Sequence, residues 1–548
     1  MSNLKSRITQ NQLRKFLFAI MTTLAWTIAG IANAQLTPES VAVLACKGNA
    51  ESEALAQHYL EKRGIPEQNL LLLEFDNEEM TSRADWQDRI RPAILKWLNE
   101  AERQNSIRCI VTLRGVPLVV DKQFNEQPDA FRAFLEHELK MRSAKAEETL
   151  KNLRALANGE APADSANNNK VFEKSSFEWN MEFEQVATDC QKRLNDMPQS
   201  QRTKYAKQFE TDVTILAGSN LLFKSLESQV RAGNANESVT ADFHLIRGRL
   251  VTLQETLSLL GQVPSSPELD TVTLAVIERA NGILGTIGWL DAQLNQVRKN
   301  ETHAAFDSEL ALVRWPMGVD RLHRWQPNLL RSSYSDLYFA RDYPMLMVAR
   351  IDAGSWETCK RMIDDAIEAE SAGGLTGKAY LDGRGIPSTA EDSIEKQYDM
   401  DLLATNRILN GVTSDVVTNT SPKVFAEGEC PEAAIYCGAF SLGKYVDAFD
   451  WSRGAIGYHL STMEALGLHD PASSTWCRSI LEDGAVATIG ALDESGLAAI
   501  PRPTAFFEEL VTKHKTLGEA FWAAQPVAGW HVMLLGDPLY CPFPKASE

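Results

Sequence analysis

A thiol and an imidazole each close an apolar run: Ala434-Ile435-Tyr436-Cys437-Gly438, and Gly454-Ala455-Ile456-Gly457-Tyr458-His459-Leu460-Ser461. If the two runs are neighbouring parallel strands, Cys437 and His459 emerge at one sheet edge. There the imidazole can take the thiol proton and leave a thiolate nucleophile. A plain structural reading competes: a small buried Cys and a hydrogen-bonded His. Three other places carry charge at the ends of expected elements. Asp307-Ser308-Glu309 precedes an apolar helix, as a helix start or as a binding group. Arg350 and Asp352 alternate along one strand and so share a face; they can pair with each other, or the Arg can hold an anion. Asp493 and Glu494 lie in a Gly-bounded loop after a strand ending at Ile489. They are expected to come together with Asp537 of the terminal Gly536-Asp537-Pro538 turn. Such carboxylates could hold a divalent cation through oxygen ligands. Loop solubility and turn capping are the plainer explanations. No cofactor is expected, and no metal ligand is assigned: HExxH, P-loop, GxSxG and EF-hand patterns are absent.

The elements that must position these groups fall into three stretches. Residues 35–124 alternate strands (41–45, 69–73, 107–113) with helices (51–63, 86–102), the pattern of a parallel sheet covered on both faces. Residues 125–302 change character to Lys-, Glu-, Gln- and Leu-rich helical periodicity, with helices at 131–157, 178–195, 200–232, 238–261 and 267–299. This all-α stretch reads as an insertion, either a surface elaboration or an arm that binds a protein partner. From 303 to 548 the α/β alternation resumes, with strands at 344–351, 434–437, 455–460, 485–489 and 532–535. The two α/β parts are each short of strands, so the expectation is one sheet interrupted by the insertion. No fixed-period repeat is visible.

The 548 residues carry a formal charge of −18, which argues against a nucleic-acid partner. Lys5, Arg7, Arg14 and Lys15 precede an apolar stretch from 16 to 32 and then Ala32-Asn33-Ala34. That is the layout of a cleaved signal peptide, residues 1–34, and predicts an exported protein (periplasmic, cell-surface or extracellular) with no later transmembrane segment. The eight cysteines are scattered without metal-type spacing. Cys430 and Cys437 are close enough in sequence to bridge, and several others read as buried thiols.

Taken together, several motifs resemble a family of exported bacterial proteins with no established activity. They are Lys62-Arg63-Gly64-Ile65-Pro66, Arg114-Gly115-Val116-Pro117, Phe306-Asp307-Ser308-Glu309-Leu310, Ala349-Arg350-Ile351-Asp352, Gly374-Leu375-Thr376-Gly377-Lys378-Ala379-Tyr380, Gly454-Ala455-Ile456, Asp483-Gly484-Ala485 and Gly536-Asp537-Pro538-Leu539-Tyr540. They span both α/β parts and leave out the helical stretch. More distantly, the second half resembles gingipain-type cysteine peptidases. That resemblance implies a caspase-like, three-layer, mostly parallel α/β fold in which a catalytic His follows one strand and a Cys the next. Here the order is reversed, Cys437 then His459, which implies either that the two identities are exchanged or that the site is degenerate and inactive. The functional expectation is therefore a non-peptidase or pseudo-peptidase domain binding a ligand or partner at the carboxyl edge of its strands. The rivals are a hydrolase using Cys437 and His459, and a cell-surface assembly protein acting through the helical insertion.

Overall fold

The structure is a computed structural model. It describes residues 35–100, 103, 105–122, 130–160, 174–260, 267–299, 302–315, 326–331, 344–387, 389–391, 393–439 and 443–545. The expected leader, 1–34, lies outside them. Ten strands form two sheets. The first comprises β1 (Val41–Cys46), β2 (Leu70–Leu73), β3 (Cys109–Leu113), β4 (Met347–Ile351) and, from the end of the chain, β9 (Thr488–Ala491) and β10 (Val532–Leu535), in the order β9-β10-β4-β3-β1-β2. The second comprises β5 (Lys378–Asp382), β6 (Asp415–Asn419), β7 (Cys430–Ala439) and β8 (Phe449–Leu460), in the order β6-β5-β7-β8. Within these two sheets every pairing is parallel except β9 with β10. β1 is buried along its whole length and reads Val-Ala-Val-Leu-Ala-Cys, the near-continuous apolar run that a strand covered on both faces requires.

The expectation of one sheet is met only in part. A parallel bridge between Ile456 of β8 and Ala487 joins the two sheets, with Val486 N donating to Ala455 O at 2.8 Å and Gly457 N to Ala487 O at 3.0 Å. The next residues, β9, then run antiparallel to β10. This reversal turns the second sheet around, so the carboxyl ends of β5, β7 and β8 lie at the edge opposite to those of β1, β3 and β4. Within each sheet the same winding recurs. The first four strands are ordered 2-1-3-4, as are the second four. The sequence shows no such repeat.

The helices cover the faces. α1 (Ala50–Arg63) carries an Asn49 cap that accepts from the N–H groups of Glu51 and Ser52. Five long helices follow: α2 (Ala130–Asn158), α3 (Ser176–Asp196), α4 (Gln199–Arg231), α5 (Glu237–Leu260) and α6 (Pro267–Lys299). They build apolar clusters of their own, one around Trp179, Leu150, Leu216 and Ile287 and another around Phe131, Leu135 and Leu290. The chain returns beside the point it left, because Val119–Val120 pairs antiparallel with Ala304–Ala305. α4 and α6 each break helical geometry at a glycine, Gly218 (φ 66°, ψ −165°) and Gly282 (φ 68°, ψ −174°). A Cβ on Gly218 would lie 2.4 Å from Gly282 N, and one on Gly282 would lie 2.3 Å from Leu216 O. Only glycine fits where the two breaks cross. α7 (Trp356–Ser371) and α8 (Trp476–Asp483) pack in the second α/β part.

All eight cysteines are free thiols, and all but Cys541 are buried. The suggested Cys430–Cys437 bridge does not form. Both residues lie on β7, and a strand rising about 3.3 Å per residue holds them far beyond disulfide reach. Among the described residues, no helix is long and apolar enough to cross a membrane.

Candidate functional site

At the carboxyl edge of the first sheet, Arg350 is fully buried on β4. Its Nε donates to Asp307 Oδ2 (3.1 Å) and its Nη2 to Asp307 Oδ1 (2.7 Å). Nη1 reaches Asp352 Oδ2 (3.3 Å) and Val116 O (2.9 Å), and Nη2 also reaches Pro117 O (2.8 Å). Thr112, in register with Arg350 across β3, adds its hydroxyl to Asp307 at 3.0 Å. Asp352 in turn meets His469 Nε2 at 2.8 Å, and His469 Nδ1 meets Glu79 at 2.6 Å. Burial opposes charge on both partners, but the pairing outweighs it. Asp352 is held below the usual carboxylate range by His469 and Arg350, and His469 is pushed up to about 9 by Asp352 and Glu79. Glu309 pairs with Arg83 at 2.8 Å. The Arg350 guanidinium is thus occupied by carboxylates and carbonyls that hold the β3 and β4 ends together.

Cys437 and His459 belong to the other edge and do not meet. Cys437 is in register with Tyr458, and Gly438 with His459. Neighbours in register share a face and successive residues alternate, so the thiol and the imidazole project from opposite faces of the sheet. Both are buried. Burial pushes the Cys437 thiol well above its ordinary value, with Asp401 and Asp382 adding to it. Burial, helped by Arg384, holds His459 well below its own. The imidazole stacks on Trp476, with centroids 3.8 Å apart and planes 3° from parallel. Its Nδ1 lies 3.1 Å from the Tyr436 hydroxyl, which is 3.3 Å from Asp382 Oδ2. Asp382 also takes Asn419 Nδ2 (2.7 Å) and pairs with Arg384 (2.6 Å), yet burial outweighs these and raises its pKa. Tyr436 lies across Gly438, where a Cβ would sit 1.9 Å from its hydroxyl. Asp382 and Tyr436 carried no sequence signal as site residues. Asp382 ends a strand that the sequence did not reveal, and Tyr436 looked like one more apolar position beside the Cys.

The acidic loop sits at this same edge, beyond β9. Thr462 Oγ1 donates to Glu494 at 3.0 Å, and His303 Nε2 meets Asp493 Oδ2 at 2.7 Å. Because β9 runs antiparallel to β10, Asp537 leaves from the other edge, and the expected grouping with Asp493 and Glu494 does not form. Asp537 instead accepts from the Tyr59 hydroxyl (2.6 Å), from Leu539 N (2.9 Å) and from Arg63. Arg63 also holds Glu370, which accepts from Cys541 N at 2.7 Å. The terminal turn is thus a clasp between α1, α7 and the end of the chain.

Beside Asp493 stands a group the sequence reading missed. His531 is 1% exposed, and its ring centroid is 4.5 Å from that of His303. Burial, with His303 adding to it, holds His531 down at about 3, so the ring is neutral. Asp493 is held low despite burial by its bonds to His303 and to Glu494 N. Two groups among the described residues bring three metal-type donors within 4.8 Å of one another: His303, Asp493 and His531, and Glu78, Glu79 and His469. The available signal was positional: a His stands directly before each of two strands, Ala304–Ala305 and β10.

Comparison with known proteins adds little. No family model and no curated protein matches the chain. A solved structure named "Structure of Protease" is similar at 17% identity over 38% of this chain and 59% of that one, with a TM-score of 0.28. The chain therefore spans about three-fifths of that structure, and a likeness so slight assigns neither fold detail nor activity. The family resemblance rests on the motifs alone.

Proposed function

We propose that the protein is an exported, caspase-like α/β domain without cysteine-peptidase activity. It binds a ligand or partner at the carboxyl edge of the second sheet, and residues 125–302 form an insertion. The observation that carries this is the placement of Cys437 and His459 on opposite faces of the sheet. A nucleophile and its base must lie within hydrogen-bond reach, and a thiol whose pKa burial raises is inert. The repeated parallel winding of the two sheets supports the caspase-like architecture. Of the seven acidic and basic residues considered as binding groups, Asp307, Glu309, Arg350, Asp352 and Asp537 are spent on internal pairs. Asp493 and Glu494 remain accessible, which supports binding at their loop.

The test is native alkylation with iodoacetamide followed by peptide mass mapping. Cys437 is expected to stay unmodified while the chain is folded and to react once it is unfolded. Rapid native labelling that disappears in His459→Ala would establish the hydrolase instead. Hydrogen exchange with a ligand found by screening should show protection at residues 493–496; protection confined to the helical stretch would favour the assembly role.

A further inference from the structure

The His303–His531 pair is unusual for what it leaves undone. Buried polar groups in folded chains are almost always hydrogen-bonded, and leaving one without a partner costs about 1–3 kcal/mol. Yet among the described residues neither ring nitrogen of His531 has a partner, and His303 Nδ1 has none either. Three polar atoms are therefore withheld from water in one small space, next to the carboxylate of Asp493. The backbone holds the group firmly: Leu492 N donates to His531 O at 3.1 Å, and Ala305 N to Trp530 O at 2.6 Å. Trp530 packs edge-on against both imidazoles, with centroids 5.1 and 4.4 Å away.

We infer that His303, His531 and Asp493 form a binding site for one divalent transition-metal ion. Two imidazoles and a carboxylate suit zinc, iron, cobalt or nickel, whereas calcium and magnesium prefer all-oxygen shells. Three protein donors leave at least one coordination position for water or a bound ligand, the make-up of catalytic and not of structural sites. The other converging group, Glu78, Glu79 and His469, lacks this feature, because both nitrogens of His469 are already engaged by Asp352 and Glu79. The three ligands come from the return of the helical segment, the loop after β9 and the start of β10. The ion therefore ties that segment to the sheet. The site shares the Asp493 loop with the proposed ligand edge but stands on its own donors.

The experiment uses the full chain, stripped with a chelator and titrated with Zn²⁺ or Co²⁺ alone, so its failure leaves the ligand-binding proposal to its own test. One equivalent is expected to bind, with a visible Co²⁺ band and a rise in melting temperature. His303→Ala, His531→Ala and Asp493→Asn should each weaken binding by more than about tenfold, the least that losing even an outer-shell partner costs a metal site. Glu79→Gln should leave it unchanged. Asp493→Asn guards against a folding artefact, since that side chain is 46% exposed. Absence of stoichiometric binding overturns the inference. So does binding that survives Asp493→Asn and His303→Ala, or that is lost in Glu79→Gln.

Discussion

Two polar clusters stand at opposite edges of the paired sheets, and they differ in how their hydrogen-bonding capacity is used. Around Arg350, the guanidinium is bonded at Nε, Nη1 and Nη2, and both neighbouring carboxylates are answered. Around His531, two imidazoles and a carboxylate converge, and among the described residues three ring nitrogens go unanswered. The charge content alone would have ranked the Arg350 cluster as the better site. The difference teaches that bonding saturation, more than charge, separates a polar cluster that holds a fold from one that waits for a partner.

The contrast can be broken most directly at Arg350. Arg350→Met strands Asp307 and Asp352 in the core and is expected to cost about 3–5 kcal/mol in urea unfolding. A loss below 1 kcal/mol would mean that the network is not structural. Next comes a pH effect in the same cluster. His469 has an ordinary value of 6.5 and sits near 9 in the fold. Its contribution is whole below pH 6.5 and is lost as pH rises through about 9. Melting temperature should fall over that interval, and His469→Gln should flatten the fall. Tyr436→Phe removes the hydroxyl between Asp382 and His459 and is expected to cost about 1–3 kcal/mol by removing its bonds to both; equal unfolding midpoints would show that water replaces it. The smallest effect is expected at the other cluster. In chelated protein His531→Leu should change stability by less than about 1 kcal/mol, because no hydrogen bond among the described residues is lost. A large loss there would erase the contrast.

Much of this was legible in the sequence, and the parts that were not share a cause. The five long helices begin and end within two residues of the periodicity-based limits, because amphipathic period is a local signal. The β1, β3, β4 and β10 strands were visible as apolar runs for the same reason. β5 and β6 were missed: Lys378–Asp382 and Asp415–Asn419 are short, begin and end on polar residues and lack a continuous apolar run. With them went Asp382 and the second parallel winding. The alternation rule brought Arg350 together with Asp352 but could not supply Asp307, which lies 43 residues away in sequence. Above all, no local pattern reports the direction of β9. That single antiparallel pairing sent Cys437, His459 and the acidic loop to one edge, and Arg350 and Asp537 to the other.

The crossing of α4 and α6 has a consequence for how this sequence can drift. Gly218 and Gly282 each exclude a side chain by the other helix's main chain, not by a neighbouring side chain that could shrink in compensation. A methyl group gained at either position therefore meets an obstacle that no second substitution can remove. The pair forms an epistatic dead end. Descendants of this chain must keep both glycines or lose the crossing altogether.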